Sequence, residues 1–341
     1  MKILKLLLML VLLGLLAAGG AAFWAWSQAQ AFLAATPSDQ HDEVILAIPR
    51  GAGPSTVSSL LAENGIVTDA ERFKLFLRYR EAAGGLRAGE YRFWTDQTPD
   101  EVLDVLLHAA EVTYPITLPP GLRLEDMGAL VEAAGMGSAA EYVRLARDED
   151  FIAGLDLPFA KAPENLEGLL MPETYNLKRD PDERDVIAAQ IGLLRSTWTP
   201  ERVAKAKAVG LTPYEVMIMA SLVEKETAVP SERPLIAGVF FNRLKKGMRL
   251  ETDPTIIYGL TNYDGNIRKA DIRRPHRWNT YVIVGLPPTP IAGAGVEAID
   301  AVLEPTDTKA LFFVAKGSGA HHFSETYAEH ARMVRKYILK R

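Results

Sequence analysis

The hydrophobic pattern changes character along the chain. Leu6 to Trp26 is an uncharged apolar run of 21 residues, long enough as a helix to cover roughly 30 Å, the thickness of a bilayer core. Ser27 to Asp42 is small and polar, which predicts a tether. Val44 to Pro49 then alternates as a strand, Gly51-Ala-Gly-Pro54 turns, and Ser55 to Glu63 is a short amphipathic helix stopped at Asn64-Gly65. Asp69 caps a second helix reaching about Ala82. Gly89 to Trp94 predicts a strand with Tyr91 and Phe93 on one face, and Thr98-Pro99-Asp100-Glu101 opens a helix to about Ala110.

Val112 to Leu118 predicts the strand that opens a second domain, turned at Pro119-Pro120-Gly121 and followed by a helix from about Leu124. Ser138 to Pro163 is helical with loops, Leu166 to Asn176 a loop, and Asp180 to Lys207 one or two helices. The central helix follows. Thr212 with Pro213 and Glu215 forms a capping box with proline at N1, and Pro230 stops the helix beyond about Thr227. A partner helix starts near Ser231 and ends at Lys245-Lys246-Gly247, two cations and a glycine suited to the position after a C-terminus. Met248 to Leu250 and Thr280 to Val284 predict short strands. Asp253 is the expected N-cap of another helix with Pro254 at N1, and Asn262 to Pro275 is loop-like. Gly285 to Gly295 predicts a substrate-shaping loop, Leu311 to Ala315 a buried strand, and Glu325 to Lys340 a closing amphipathic helix.

The central helix is apolar on every side from Val216 to Val223, which predicts a buried helix. Its last turn carries Glu224 and Glu226, two positions apart and therefore on nearly opposite faces. Glu226 lies beneath Met219, Leu222 and Val223. A carboxyl held against aliphatic side chains resists ionisation and can donate a proton near neutral pH. Periodicity alone leaves a second reading open, in which Glu224 to Glu226 is the polar end of a core helix.

Composition narrows the chemistry. The 341 residues allow two domains with real cores, and the formal charge of −5 gives no basic footprint for nucleic acid. There is no cysteine, hence no disulfide framework, thiolate nucleophile, cysteine-held zinc or lipidated anchor. His321-His322 has no partners at metal spacing, Gly317-Ser-Gly319 is not followed by the Lys-Ser/Thr of a phosphate loop, and no Gly-x-Ser-x-Gly elbow occurs. Lys2 and Lys5 precede the apolar run, which places the N-terminus in the cytoplasm and the remainder outside. A cleaved signal peptide, with Ala29-Gln30-Ala31 as its cleavage site, is the alternative. The length of the run and an aromatic belt of Phe23, Trp24 and Trp26 favour a retained anchor.

Several stretches together resemble the endolytic murein transglycosylase (MltG/YceG-like) family: Ser221-Leu-Val-Glu-Lys-Glu-Thr-Ala228, Phe241-Asn-Arg-Leu244, Gly247-Met-Arg-Leu250, Thr252-Asp-Pro-Thr255 and Tyr258-Gly259. Leu166-Glu-Gly168, Pro172-Glu-Thr-Tyr175, Asn279-Thr-Tyr281, Gly285-Leu-Pro-Pro288 and His321-His-Phe323 extend the likeness over nearly the whole chain. The resemblance implies an α+β chain: a cytoplasmic tip and transmembrane anchor at 1–26, a tether at 27–42, a small LysM-like βααβ module at 43–111 and a YceG-like catalytic domain at 112–341. It makes Glu226 the catalytic acid/base of an endolytic lytic transglycosylase in the inner (cytoplasmic) membrane. That enzyme acts on peptidoglycan glycan strands, terminates nascent strands and has peptidoglycan synthases as partners. No cofactor and no metal are implied. Glu167, Thr227, Asn242, Arg243, Thr252, Asp253, Tyr258, Asn279 and Tyr281 become candidates for binding substrate or orienting the acid. A hydrolytic muramidase using Glu167 or Glu224 as second carboxyl, and a non-catalytic peptidoglycan-binding scaffold, are the rival readings. The small module either binds glycan or only spaces the catalytic part from the membrane.

Overall fold

The computed structural model describes residues 2–317 and 319–339, and it divides into two compact units, Met1–Tyr114 and Pro115–Arg341. Both mix helix and strand. The first begins with α1 (Lys2–Leu33), a single helix that is apolar over most of its length. It is long and apolar enough to cross a membrane. It also runs past Trp26 into the expected tether. Ser27 to Leu33 contains no proline or glycine, so nothing stops the helix, and Phe32 is 5% exposed in the core of this unit. Residues 34–42 have no regular structure.

β1 (Glu43–Ile48) is followed by α2 (Pro54–Glu63), α3 (Ala70–Tyr79), β2 (Gly89–Trp94) and α4 (Pro99–His108). β1 and β2 pair antiparallel, with Glu43 opposite Trp94 and Ile48 opposite Gly89. The Asp69 side chain caps α3 through the Arg72 amide, and Thr98 with Glu101 closes a capping box on α4. The core gathers Leu46, Val57, Leu61, Phe73, Tyr91 and Phe93 with Val102 and Leu106.

The second unit contains the rest. β3 (Tyr114–Leu118) pairs with β4 (Glu173–Leu177), so the second half of the loop expected at Leu166 to Asn176 is a strand. Its partner lies more than 50 residues upstream, and no local pattern announces it. Between them stand α5 (Leu124–Ala133), α6 (Ala139–Leu145) and α7 (Glu149–Ala153), and beyond them α8 (Glu183–Thr197) and α9 (Pro200–Ala208). The central helix is α10 (Pro213–Glu226), with the expected capping box and proline at N1. Every residue from Val216 to Val223 is buried. A short 3₁₀ turn (Pro230–Glu232) leads to α11 (Arg233–Lys245), then α12 (Asp253–Tyr258), α13 (Lys269–Arg273) and α14 (Val296–Leu303). The antiparallel pair β5 (Phe312–Ala315) and β6 (His321–Ser324) and helix α15 (Tyr327–Tyr337) complete the unit. Lys340, the expected end of that helix, and Ser318 of the glycine-rich turn lie outside the described residues.

Three local expectations are corrected. Met248 to Leu250 is not a strand, because the Arg243 guanidinium takes the carbonyls of Arg249 and Leu250 at 3.1 and 2.9 Å and leaves no ladder to form. Thr280 to Val284 is a turn, since the Asn279 carbonyl accepts from both Val282 and Ile283 amides. The N-cap of α12 is Thr252, not Asp253, whose carboxylate accepts the Tyr281 hydroxyl at 2.7 Å. In the loop at Gly285 to Gly295, residues 289–295 are all buried. Their amides are satisfied from within: Ile291 donates to the Ser221 hydroxyl, Gly293 to the Leu122 carbonyl and Gly295 to Glu224.

Candidate active site

The last turn of α10 ends at Glu226, and Thr227 leaves the helix in an extended conformation. The Glu226 side chain is part-buried, and its Oε1 accepts the Thr252 hydroxyl. Thr252 occupies the N-cap of α12, where a hydroxyl usually caps its own helix. Here it caps nothing and serves the carboxyl instead. Its backbone is fixed by donation to the Thr280 hydroxyl at 3.0 Å and by acceptance from the Thr255 hydroxyl at 2.7 Å. Desolvation is the largest influence on Glu226 and pushes its pKa up to about 7. The Thr252 hydrogen bond pulls the other way, Asp253 adds to the rise, and Arg243 opposes it. Asp253, bonded to Tyr281, supplies a second carboxylate to this cluster. Burial holds the Tyr281 phenol well above its ordinary range, so it stays a donor.

Glu224 has a different setting. Its Oε1 accepts from Arg233 at 2.9 Å, with side chains 6% and 14% exposed, and its Oε2 accepts the Gly295 amide at 3.1 Å. It ties α10 to the start of α11 and to the buried loop.

Glu167 is 2% exposed and accepts from the Leu124 amide at 3.2 Å and the Tyr258 hydroxyl at 3.3 Å. Burial pushes its pKa up to about 7, reinforced by Glu125. The preceding Leu166 is in the core. The following Gly168 has φ +68°, and an added Cβ there would overlap Pro290 and the Ala292 carbonyl. Glu167 lines a cavity of about 490 Å³ together with Arg123, Tyr258 and Trp278. Arg123 lies 4.9 Å over the Tyr258 ring, which meets Trp278 edge-on at 5.1 Å. Tyr258 ends the helix whose N-cap position Thr252 holds, so α12 links the Glu226 hydroxyl partner to this cavity over about 9 Å of helical rise.

Thr252, Asp253 and Tyr281 are therefore gathered at Glu226, and Tyr258 at Glu167. The other candidates make their contacts within the fold. The Asn242 amide donates to the Thr308 and Ala310 carbonyls at 2.7 and 3.0 Å. Arg243, 7% exposed, also reaches the Leu311 carbonyl and Glu251. Asn279, fully buried, donates to the carbonyls of Asp271, Ile272 and Arg274. The Thr227 hydroxyl accepts from the Val229 amide at 3.0 Å and donates to Glu232 at 3.3 Å. Glu232 in turn accepts from the backbone and ring of His321, both at 2.8 Å. Burial by itself would raise the Glu232 carboxyl, but these His321 bonds outweigh it and hold it below its usual range. Sequence reasoning missed Glu232, Thr280 and Trp278. The signal for the first was a glutamate two residues after Pro230, between two family-like stretches, and its partner lies 89 residues away.

The helix-borne carboxyl and the Thr-Asp-Pro segment that meets it lie within a chain of recognisable class. The chain belongs to the YceG-like family, which residues 46–336 match. It is 32% identical to the endolytic murein transglycosylase of Bacillus subtilis (strain 168), covering 88% of this chain and 86% of that one. It is 27% identical to the endolytic murein transglycosylase of Streptococcus pneumoniae D39, covering 96% of this chain and 64% of the relative's length. In three dimensions it is similar to the crystal structure of a yceG-like protein from Listeria monocytogenes, with a TM-score of 0.59 and 26% identity over 85% of this chain and 98% of that one.

Proposed function

We propose that the protein is an endolytic lytic transglycosylase that cleaves the bond between N-acetylmuramic acid and N-acetylglucosamine within glycan strands. The observation that carries this reading is Glu226: a carboxyl whose pKa burial raises to about 7, bonded to a neutral hydroxyl and not to a cation. With the Thr252 hydroxyl on Oε1, Oε2 is left to hold the proton. It protonates the glycosidic oxygen as the bond to the muramic anomeric carbon breaks. The resulting carboxylate takes the proton of the muramic C6 hydroxyl, whose oxygen closes on that carbon. The product is a 1,6-anhydro end, no water is consumed, and Glu226 regains its proton. Both reacting groups belong to one sugar, so orientation supplies much of the rate. The Asp253 carboxylate beside Glu226 stabilises the positive charge that develops at the anomeric carbon.

In this reading Thr252, Asp253 and Tyr281 serve the reacting sugar, and Tyr258 with Glu167 serves a neighbouring part of the strand. Thr227, Asn242, Arg243 and Asn279 hold those elements in place. A hydrolase with Glu224 as its second carboxyl is disfavoured because Arg233 and Gly295 occupy that side chain. The strand–helix–helix–strand order of the small unit supports a LysM-like, glycan-binding role. α1 supports a single-pass anchor in the cytoplasmic membrane, N-terminus inside, where nascent strands are made by synthases and are terminated by this cleavage.

The test is mass spectrometry of products from uncrosslinked glycan strands, with the full chain in detergent and a Glu226→Gln counterpart. Anhydro-ended fragments from the parent alone are expected. Fragments one water heavier would identify a muramidase, and intact but bound strands with both proteins a scaffold.

A further inference from the structure

The outward face of α3 carries two large apolar side chains among the exposed charges of Glu71, Arg72 and Arg78. Phe73, Phe76 and Leu77 point into the small unit's core, while Leu75 and Tyr79 are 59% and 83% exposed. They stand four residues apart on one helical face. The same face does not stand alone. Leu75 and Tyr79 line a groove of about 630 Å³ with Trp24 and Trp26 of α1. Two contacts join α1 to α3 within this unit: Phe32 meets Phe76 with ring centroids 6.5 Å apart, and Arg72 donates to the Gln28 side chain at 3.4 Å.

The depth of this groove follows from the length of α1. The apolar stretch from Leu6 to Trp26 covers about 30 Å, which places Trp24 and Trp26 at its outer boundary, where indole rings partition at a bilayer surface. The groove runs from those rings along α1 to Phe32 and Leu33, and Leu75 and Tyr79 line it beside them. Arg72, which meets Gln28 two residues beyond Trp26, and Arg78 supply exposed cations on α3, beside exposed Glu71 and with Asp69 3.8 Å from Arg72.

We infer that α3 is a membrane-surface contact. Leu75 and Tyr79 enter the headgroup–acyl boundary beside the aromatic end of α1, and Arg72 and Arg78 face anionic lipid phosphates. The small unit is thereby docked on the bilayer through two elements and does not swing from a tether. The inference rests on α1 spanning the membrane.

The absence of cysteine makes the test direct, since one introduced thiol reports one place. The full chain is labelled with an environment-sensitive fluorophore at L13C, L75C, Y79C or E63C and reconstituted in phosphatidylethanolamine/phosphatidylglycerol vesicles. Access of dithionite to the label is then timed in the molecules whose small unit faces outward. Labels at 75 and 79 are expected to be blue-shifted and reduced several-fold more slowly than the label at exposed position 63, with the label at 13 protected. If 75 and 79 react as fast as 63 while 13 stays protected, α3 is not a lipid contact although the anchor stands. If 13 also reacts freely, the anchor reading fails and this inference with it. Protection at 75 and 79 that grows with the protein-to-lipid ratio would mean that a second copy, not lipid, covers the face, and would overturn the inference.

Discussion

Glu224 and Glu226 leave the same turn of α10 and enter opposite environments. The Glu224 side chain is 6% exposed, yet it meets a guanidinium at 2.9 Å and a backbone amide, and acts as a structural anchor. Glu226 meets a neutral hydroxyl and the field of Asp253, and its pKa rises to about 7. The neighbours differ: at Glu226 a neutral donor and a neighbouring anion leave the desolvation penalty standing.

The largest effect should come from breaking the acid side. Glu226→Gln is expected to lower the cleavage rate about 10²–10⁴-fold, the usual contribution of a general acid, while the unfolding midpoint at acid pH stays near the parent's. Retained anhydro product from this variant would remove Glu226 from the mechanism. The anchor side should fail in the other currency. Glu224→Ala leaves the Arg233 guanidinium without its carboxylate and should cost about 3–5 kcal/mol in urea unfolding, with cleavage per folded molecule changed only a few-fold. Abolished cleavage at parental stability would reverse the two roles.

Glu167 sharpens the comparison, being a buried carboxyl with a raised pKa outside the Glu226 cluster. Its folded pKa of about 7 lies above the ordinary value of 4.5, so the folded state binds the extra proton. Stability is then highest below pH 4.5, declines as pH climbs to about 7 and levels off above, a loss of up to about 3 kcal/mol for this group. Glu167→Gln, whose amide oxygen still accepts from Leu124 and whose amide nitrogen donates to the Tyr258 hydroxyl, should remove that decline and be more stable than the parent at pH 8. Equal slopes for the two proteins between pH 5 and 8 would show that Glu167 is ionised in the fold.

The smallest effects lie in the pH–rate profile. Cleavage should fall as pH rises through about 7 and Glu226 loses its proton. Thr252→Val removes the bond that favours the carboxylate and should move that limb to higher pH. Asp253→Asn removes the charge that favours the acid and should move it lower. Shifts in the same direction would mean that these neighbours act by altering the fold and not through the field at Glu226.

What was legible in the chain was local. Thr212, Pro213 and Glu215 start α10, and Thr98 with Glu101 starts α4, because a cap is made between a side chain and a backbone three residues away. The burial of α10, and the aliphatic floor under Glu226, follow from helical period. The resemblance to the family reached the same glutamate. Tertiary structure decided the remainder. Nothing near Glu226 in sequence indicates that Thr252, 26 residues on, gives up its cap to bond it, or that Arg233 claims Glu224. Nor does any local pattern show that Tyr258 meets Glu167 across 91 residues, or that Arg243 takes the carbonyls of an expected strand. A proton's affinity depends on every dipole and charge within a few ångströms, and those neighbours are brought together by folding, not by order along the chain.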